Sequence, residues 1–371
     1  MILHLHHRYR TLGGEERAIV GLRQLTEERL GEPTALLERD STATGAARAA
    51  RGLLQGGIDP AEVTDAVHRH RARVVHAHNV HPTFGVRALH AAREAGARVV
   101  LHLHNYRLVC AIGTCVRDGH DCTDCHGRRT TPGVRHRCRG GVAETLVYAA
   151  GISRQQRALI AAADALVVPS RAALTRLREL GAPLPDHGVH VVPHPVDIGP
   201  SITPDPYGPA IFAGRLSPEK GVAVAIEAAR ISGRPLVVAG DGPLDAELRA
   251  SARDLPHVRF VGLLTPDALA TLRASASVEL APSLAHETFG LASAEAMLRG
   301  LPVVASDVGA LSELVPDDAR VPAGDPQALA DAWTRIAGDR DAGRRQRDAA
   351  RAATDGAAIA DGLRAAYAFP A

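Results

Sequence analysis

The chain has 371 residues, 46% hydrophobic and 23% charged, and its 43 Lys+Arg against 41 Asp+Glu leave a net charge of +2. This excludes wholesale disorder and, by bulk charge, a nucleic-acid partner. At roughly 100–200 residues per domain, the length predicts two domains.

The first segment, MILHLHHRYR, lacks the basic head and long apolar run of a signal peptide and reads as a short strand over Ile2–Leu5. A helical pattern follows Gly13-Gly14 over Glu15–Leu30. Val74–Ala77 and Val99–Leu103 are apolar strands flanking helix-like spacing over Arg87–Gly96. Ala165–Val168 is another strand, and Ser170 is placed to cap a helix over Arg171–Leu180. Pro193–Pro206, rich in Pro and turn residues, is the expected linker. Strands then recur at Ala210–Ala213, Leu236–Ala239, Val258–Val261, Val278–Ala281 and Pro302–Ala305, and residues 327–370 read as helical. Strands alternating with helices predict α/β units with parallel sheets. The expected division is 1–198, 199–354 and a C-terminal helix over 355–371 returning to the first domain. No run approaches the roughly 18 consecutive apolar residues of a membrane span, so a cytoplasmic protein is expected.

Ligands of open parallel sheets bind beyond the carboxyl ends of the strands, so the residues that follow strands carry the functional signal. Gly214-Arg215-Leu216-Ser217-Pro218-Glu219-Lys220-Gly221 follows Ala210–Ala213 and sets two cations near a helix N-terminus, where backbone amides already favour anions. A phosphate or diphosphate is the natural ligand: Arg forks two oxygens and Lys acts as a point charge. Lys220 is the one lysine among the 43 basic residues. His286-Glu287-Thr288-Phe289-Gly290-Leu291 follows Val278–Ala281 and opens a helix carrying Glu295 about two turns on. Amides of Phe289, Gly290 and Leu291 suit a further phosphate oxygen, and the two carboxylates suit sugar or ribose hydroxyls. His102 and His104 alternate on a strand and so share a face. Gly13-Gly14 permits close backbone approach. No segment supplies a G-x-G-x-x-G fingerprint, which argues against a nicotinamide enzyme.

The five cysteines lie between Cys110 and Cys138. Cys122-x2-Cys125 has metal-knuckle spacing, with Cys110 and Cys138 as outer ligands of a candidate structural zinc; His120, His126 and His136 are alternative ligands, and thiols or a disulfide are the competing readings. Arg128, Arg129, Arg135, Arg137 and Arg139 in the same region suit an anionic acceptor or peripheral contact with a membrane surface, or a solvated loop.

Taken together, Gly214–Gly221, Gly240-Asp241-Gly242-Pro243 and the Glu287…Glu295 pair around Phe289-Gly290-Leu291 resemble the retaining nucleotide-sugar glycosyltransferases of family 4, the group 1 glycosyltransferases. Gly13-Gly14-Glu15, His104-Asn105-Tyr106-Arg107, Val167–Ser170 and Val192–Asp197 extend the resemblance nearly end to end. It implies the GT-B architecture, two Rossmann-like domains facing a cleft, with the nucleotide sugar on the C-terminal domain. By the same resemblance Arg215 and Lys220 hold the diphosphate, Glu295 the ribose and Glu287 the donor sugar. Gly14, Phe289, Gly290 and Leu291 complete the cradle beside Gly13, while Gly240, Val261, Gly262 and Leu263 lie near the base. His104 touches the donor sugar. The two cations and the helix terminus would stabilise charge growing on the leaving phosphate, with no metal or other cofactor needed for catalysis.

The implied donor is a UDP- or GDP-linked sugar, and the implied acceptor a lipid-linked saccharide, a polysaccharide or a small natural product at the inner face of the membrane or in the cytoplasm. Thr288, His194 and Asn105 depart from the family pattern and bear on sugar specificity. A GT-B sugar-nucleotide epimerase or hydrolase, and a non-catalytic nucleotide-sugar-binding subunit, are the rival readings.

Overall fold

The computed structural model describes residues 1–9 and 13–368. The chain divides into two compact units: the first holds residues 1–115, 122–195 and the C-terminal helix Gly356–Tyr367, the second residues 116–121 and 196–355. No helix among the described residues is long and apolar enough to cross a membrane.

In chain order the strands are Ile2–Arg8 (β1), Thr34–Asp40 (β2), Val74–Ala77 (β3), Arg98–His102 (β4), the short hairpin Val116–Arg117 (β5) and His120–Asp121 (β6), Ala165–Val168 (β7), Val189–Val191 (β8), Ala210–Ala213 (β9), Leu236–Ala239 (β10), Val258–Gly262 (β11), Val278–Ala281 (β12), Val303–Ser306 (β13) and Arg320–Val321 (β14).

The first unit is a six-stranded sheet in the order β2-β1-β3-β4-β7-β8. All its neighbouring pairs run parallel. Parallel strands covered on both faces read as apolar runs, which is why β3 and β7 stand out in the sequence. Odd-numbered Leu3, Leu5, Val75, Val99 and Leu101 pack into one core. Even-numbered Ile2, Val74 and Val100 face the other, with Leu22 of the helix Gly14–Leu30 and Leu363 of the helix Gly356–Tyr367. Period-two alternation carries this second face onward through His4, His76 and His102, all buried. As expected, Ser170 caps a helix: its hydroxyl accepts from the Ala173 amide at 3.0 Å, and the helix runs Arg171–Glu179.

The second unit is a six-stranded sheet in the order β11-β10-β9-β12-β13-β14, again parallel throughout. Numbered within the unit, this is the doubly wound order 3-2-1-4-5-6, whose topological switch point lies between its first and fourth strands, β9 and β12. The core centres on those strands, with Trp333 and Met297 fully buried against them.

Candidate active site

The switch point of the second unit is where its two signal-bearing loops meet. Ser217 leads into a single 3-10 turn, Pro218–Lys220, after β9. Gly221 then takes φ +65°, and a Cβ there would sit 1.8 Å from the Pro282 carbonyl oxygen in the loop after β12. Only glycine lets the two loops close to this distance. The Leu284 amide donates to the Glu219 carbonyl at 2.9 Å and completes the join.

That join places Lys220 Nζ 2.6 Å from Glu287 Oε1, and the Ser283 hydroxyl donates to the same oxygen at 2.6 Å. Burial opposes ionisation of Glu287, but the Lys220 charge and the two hydrogen bonds outweigh it and hold the carboxyl below its usual range. Arg215 is exposed on the same loop.

Glu295 lies on the helix Leu291–Arg299, whose first turn follows Gly290 at φ +92°. The Arg273 Nη1 donates to Glu295 Oε2 at 3.0 Å, while its Nε and Nη2 fork Glu279 of β12 at 2.8 and 3.1 Å. Arg273 and Glu279 are 3% and 1% exposed, so this is a buried pair with Glu295 as its outer arm. Sequence reading took β12 as an apolar strand and missed both. A glutamate inside an otherwise apolar run was the available signal.

Gly240 takes φ +149°, and a Cβ there would lie 1.8 Å from the Gly214 carbonyl oxygen, so the loops after β9 and β10 touch at backbone level. Its amide donates to the Gly262 carbonyl at 2.8 Å. The β10–β11 register shifts there, pairing Val238 with Phe260 and Ala239 with Gly262, so Val261 is the extra residue of a bulge. Leu263 beyond it is 81% exposed. Gly240, Val261, Gly262 and Leu263 thus gather beside the Arg215 loop. Phe289 is buried, and its ring belongs to the core.

The first unit's signal residues lie at the carboxyl ends of its strands. Gly13 precedes the helix Gly14–Leu30, and its amide donates to Glu16 Oε2 at 2.8 Å. The next residue, Glu15, accepts from the Asn105 side chain at 2.6 Å. Burial lifts the Glu15 carboxyl to about 7, against the lowering effect of that hydrogen bond. His104 is buried, its Nε2 2.9 Å from His78 Nδ1, and His78 Nε2 is 2.8 Å from His4 Nδ1. The His102 and His104 rings stack with centroids 3.9 Å apart, as expected for one strand face. Sequence reading did not join His4, His76 and His78 to them.

All five cysteines are unbridged. The Cys115 thiol beside Cys110 brings the Cys110 thiol down to about 6, and burial pushes Cys125 up to about 11. Groups of three His, Cys, Asp or Glu ligand atoms within 4.8 Å of one another occur twice among the described residues; both are histidine trios, and neither includes Cys110, Cys122, Cys125 or Cys138. Arg128, Arg129, Arg135 and Arg137 are exposed, while Arg139 lies over the Tyr148 ring.

With this geometry in view, comparisons with known proteins settle the family. The glycosyl transferase 4-like domain matches residues 4–195, and the group 1 glycosyl transferase domain matches residues 209–339. The chain belongs to the group 1 glycosyltransferases.

This glycosyltransferase is 42% identical over 134 residues to a GDP-mannose-dependent alpha-(1-6)-phosphatidylinositol dimannoside mannosyltransferase of Mycobacterium tuberculosis, a stretch covering 34% of each chain. It is 39% identical over 139 residues to a phosphatidyl-myo-inositol mannosyltransferase of Mycolicibacterium smegmatis, covering 35% of this chain and 36% of the relative. The match thus spans about a third of the length of each curated relative. Among solved structures, Anabaena HepE in complex with UDP-glucose aligns over 99% of both chains with a TM-score of 0.67 and 19% identity. Sucrose-phosphate synthase from Thermosynechococcus elongatus aligns over 99% of this chain and 98% of its own with a TM-score of 0.69 and 18% identity. The fold is GT-B, as the sequence resemblance implied.

Proposed function

We propose that this glycosyltransferase moves a hexosyl group from a nucleoside-diphosphate sugar to an acceptor with retention of anomeric configuration. The observation that carries this reading is the Lys220–Glu287 contact at 2.6 Å, formed at the switch point of the second sheet beside exposed Arg215. A cation pair there suits the diphosphate, and a neighbouring carboxylate suits sugar hydroxyls.

In this reading Arg215 and Lys220 bind the diphosphate, and the first-turn amides of the helix Leu291–Arg299 add donors. Glu295, held by Arg273, accepts from the ribose hydroxyls. Glu287 orients the donor sugar. The backbone at Gly240 and Val261–Leu263 borders the base. As the glycosidic bond lengthens, negative charge grows on the leaving phosphate oxygen, and the two cations stabilise it without a metal. Attack from the same face through an oxocarbenium-like state gives retention, and His104 lines the donor sugar.

GDP-mannose is the first donor to test, because the relatives at 42% and 39% identity are named mannosyltransferases, with UDP-hexoses second because HepE was solved with UDP-glucose. A lipid-linked saccharide is the acceptor class those relatives' names favour. The exposed arginines Arg128–Arg137 suit its anionic head group or the inner face of the membrane. Product analysis by NMR tests the reading: a new glycoside with the donor's anomeric configuration supports it. An altered or hydrolysed donor without transfer, or binding without turnover, rejects it in favour of an epimerase, a hydrolase or a binding subunit.

A further inference from the structure

The first unit buries a column of imidazoles that the transfer reaction leaves mostly unused. His78 follows β3, while His102 ends β4 and His104 lies just beyond it; they are 4%, 1% and 6% exposed. Each offers one ring nitrogen such that the three lie within 4.8 Å of one another. Neither ring nitrogen of His102 has a hydrogen-bond partner. A buried polar atom left this way costs free energy unless something unseen satisfies it, such as a water or an ion. His78, His102 and His104 are among the residues bordering a cavity of ≈ 40 Å³ that also touches Leu103, Leu159, Asn105 and Arg107. That is room for an ion and a coordinated water.

We infer that His78, His102 and His104 form a binding site for a borderline divalent transition-metal ion, zinc being the natural occupant, with water as the fourth ligand. Three imidazoles and one open position are a recurrent zinc set. Nitrogens around a tetrahedral zinc lie roughly 3.3 Å apart, given Zn–N bonds of about 2.0–2.1 Å. The trio offers ring nitrogens within 4.8 Å of one another, His78 Nδ1 and His104 Nε2 lie 2.9 Å apart, and reaching that spacing requires the His102 ring to turn out of its stack on His104.

The ion replaces the His78–His104 hydrogen bond and takes up a lone pair of His102. His4 then serves as the orienting partner. Its Nδ1 lies 2.8 Å from His78 Nε2 and accepts that N–H, which turns the His78 Nδ1 lone pair toward the ion. The site owes nothing to the cysteines and does not rest on the donor reading.

The test uses the full chain stripped with chelator and titrated with Co2+, whose visible bands report ligand type. The expected result is one equivalent bound, with a visible d–d spectrum, no intense near-ultraviolet sulfur-to-cobalt band, and a raised unfolding temperature. His102→Phe, which keeps a ring in the core, should abolish the spectrum while circular dichroism stays unchanged. If that variant fails to fold, His78→Asn serves the same purpose. Cys122→Ser/Cys125→Ser should leave the cobalt spectrum as in the parent. Absence of Co2+ binding by the folded chain, a sulfur band lost in the cysteine variant, or undiminished binding in folded His102→Phe would overturn the assignment.

Discussion

Lys220 Nζ and Glu287 Oε1, 67 positions apart in sequence, lie 2.6 Å apart. The contact exists because glycine at 221 lets the loops after β9 and β12 touch, so the pair is a product of topology as much as of residue type. It makes the lysine specific: a compact ammonium must reach a carboxylate and, in the proposed reading, a phosphate together. A planar guanidinium is bulkier and spreads its charge. Lys220→Arg should therefore keep the fold and lose at least about tenfold in kcat/KM, near 1.4 kcal/mol. Lys220→Ala should lose more. Steady-state kinetics with the donor identified by product analysis check this, and a wild-type rate in Lys220→Arg would make the lysine incidental.

Arg273 ties the buried Glu279 to Glu295. Replacing it with Met leaves a carboxylate that is 1% exposed without its fork. Breaking a buried pair in this way costs about 3–5 kcal/mol. Urea unfolding should show that loss for Arg273→Met, and Arg273→Lys should recover part of it. In the proposed reading Arg273 acts on the nucleotide only by holding Glu295, so the Lys variant should weaken nucleotide affinity more than it slows turnover at saturation.

Glu15 gives a pH signature. Its folded pKa of about 7 stands above the ordinary 4.5, so the folded chain holds a proton there that the unfolded chain releases. The associated stability is present below pH 4.5 and is lost as pH rises toward 7. Glu15→Gln keeps an oxygen for Asn105 but does not titrate. It should therefore be more stable than wild type at pH 8, by on the order of 3 kcal/mol, and about equal at pH 4.5. Chemical denaturation at the two pH values measures the difference.

His7 and His81 shift the other way. Burial lowers both from 6.5 to about 4, and His7 is further held between Thr83 and Ser41 at 2.8 and 2.9 Å. The unfolded chain takes up protons here first, so stability present above pH 6.5 falls as pH drops toward 4. Each residue should cost about 1.4 kcal/mol at pH 5.5. Unfolding free energies at pH 7.5 and 5.5 should converge partway in His81→Gln relative to wild type; an unchanged slope would show that His81 is protonated in the fold.

The doubly wound architecture was legible because β3, β7, β9, β10 and β12 are short apolar runs closed by turn residues. Their bounds, such as Val74–Ala77 and Ala210–Ala213, needed no adjustment. The edge strand Thr34–Asp40 was not legible, since only its inner positions are covered and its sequence carries Glu38, Arg39 and Asp40. β1 runs three residues past Leu5, through histidines that are polar by type yet buried. The helix Val142–Ala162 went unassigned. Of the candidate site, Arg215, Lys220 and Glu287 were readable from their place after strands. Arg273, Glu279 and the His4–His78–His104 chain were not, because each depends on partners that only the folded register brings together.

The assignment of the second unit as the donor site is tested most directly by calorimetric titration of free nucleoside diphosphates, GDP and UDP, into wild type, Glu295→Ala and Glu287→Ala. One diphosphate should bind wild type. Glu295→Ala should weaken it by about 1.5–3 kcal/mol, the worth of charge-assisted hydrogen bonds. Glu287→Ala, assigned to the absent sugar, should bind the free diphosphate nearly as wild type does. Failure of both diphosphates to bind, or equal losses in the two variants, would contradict the account.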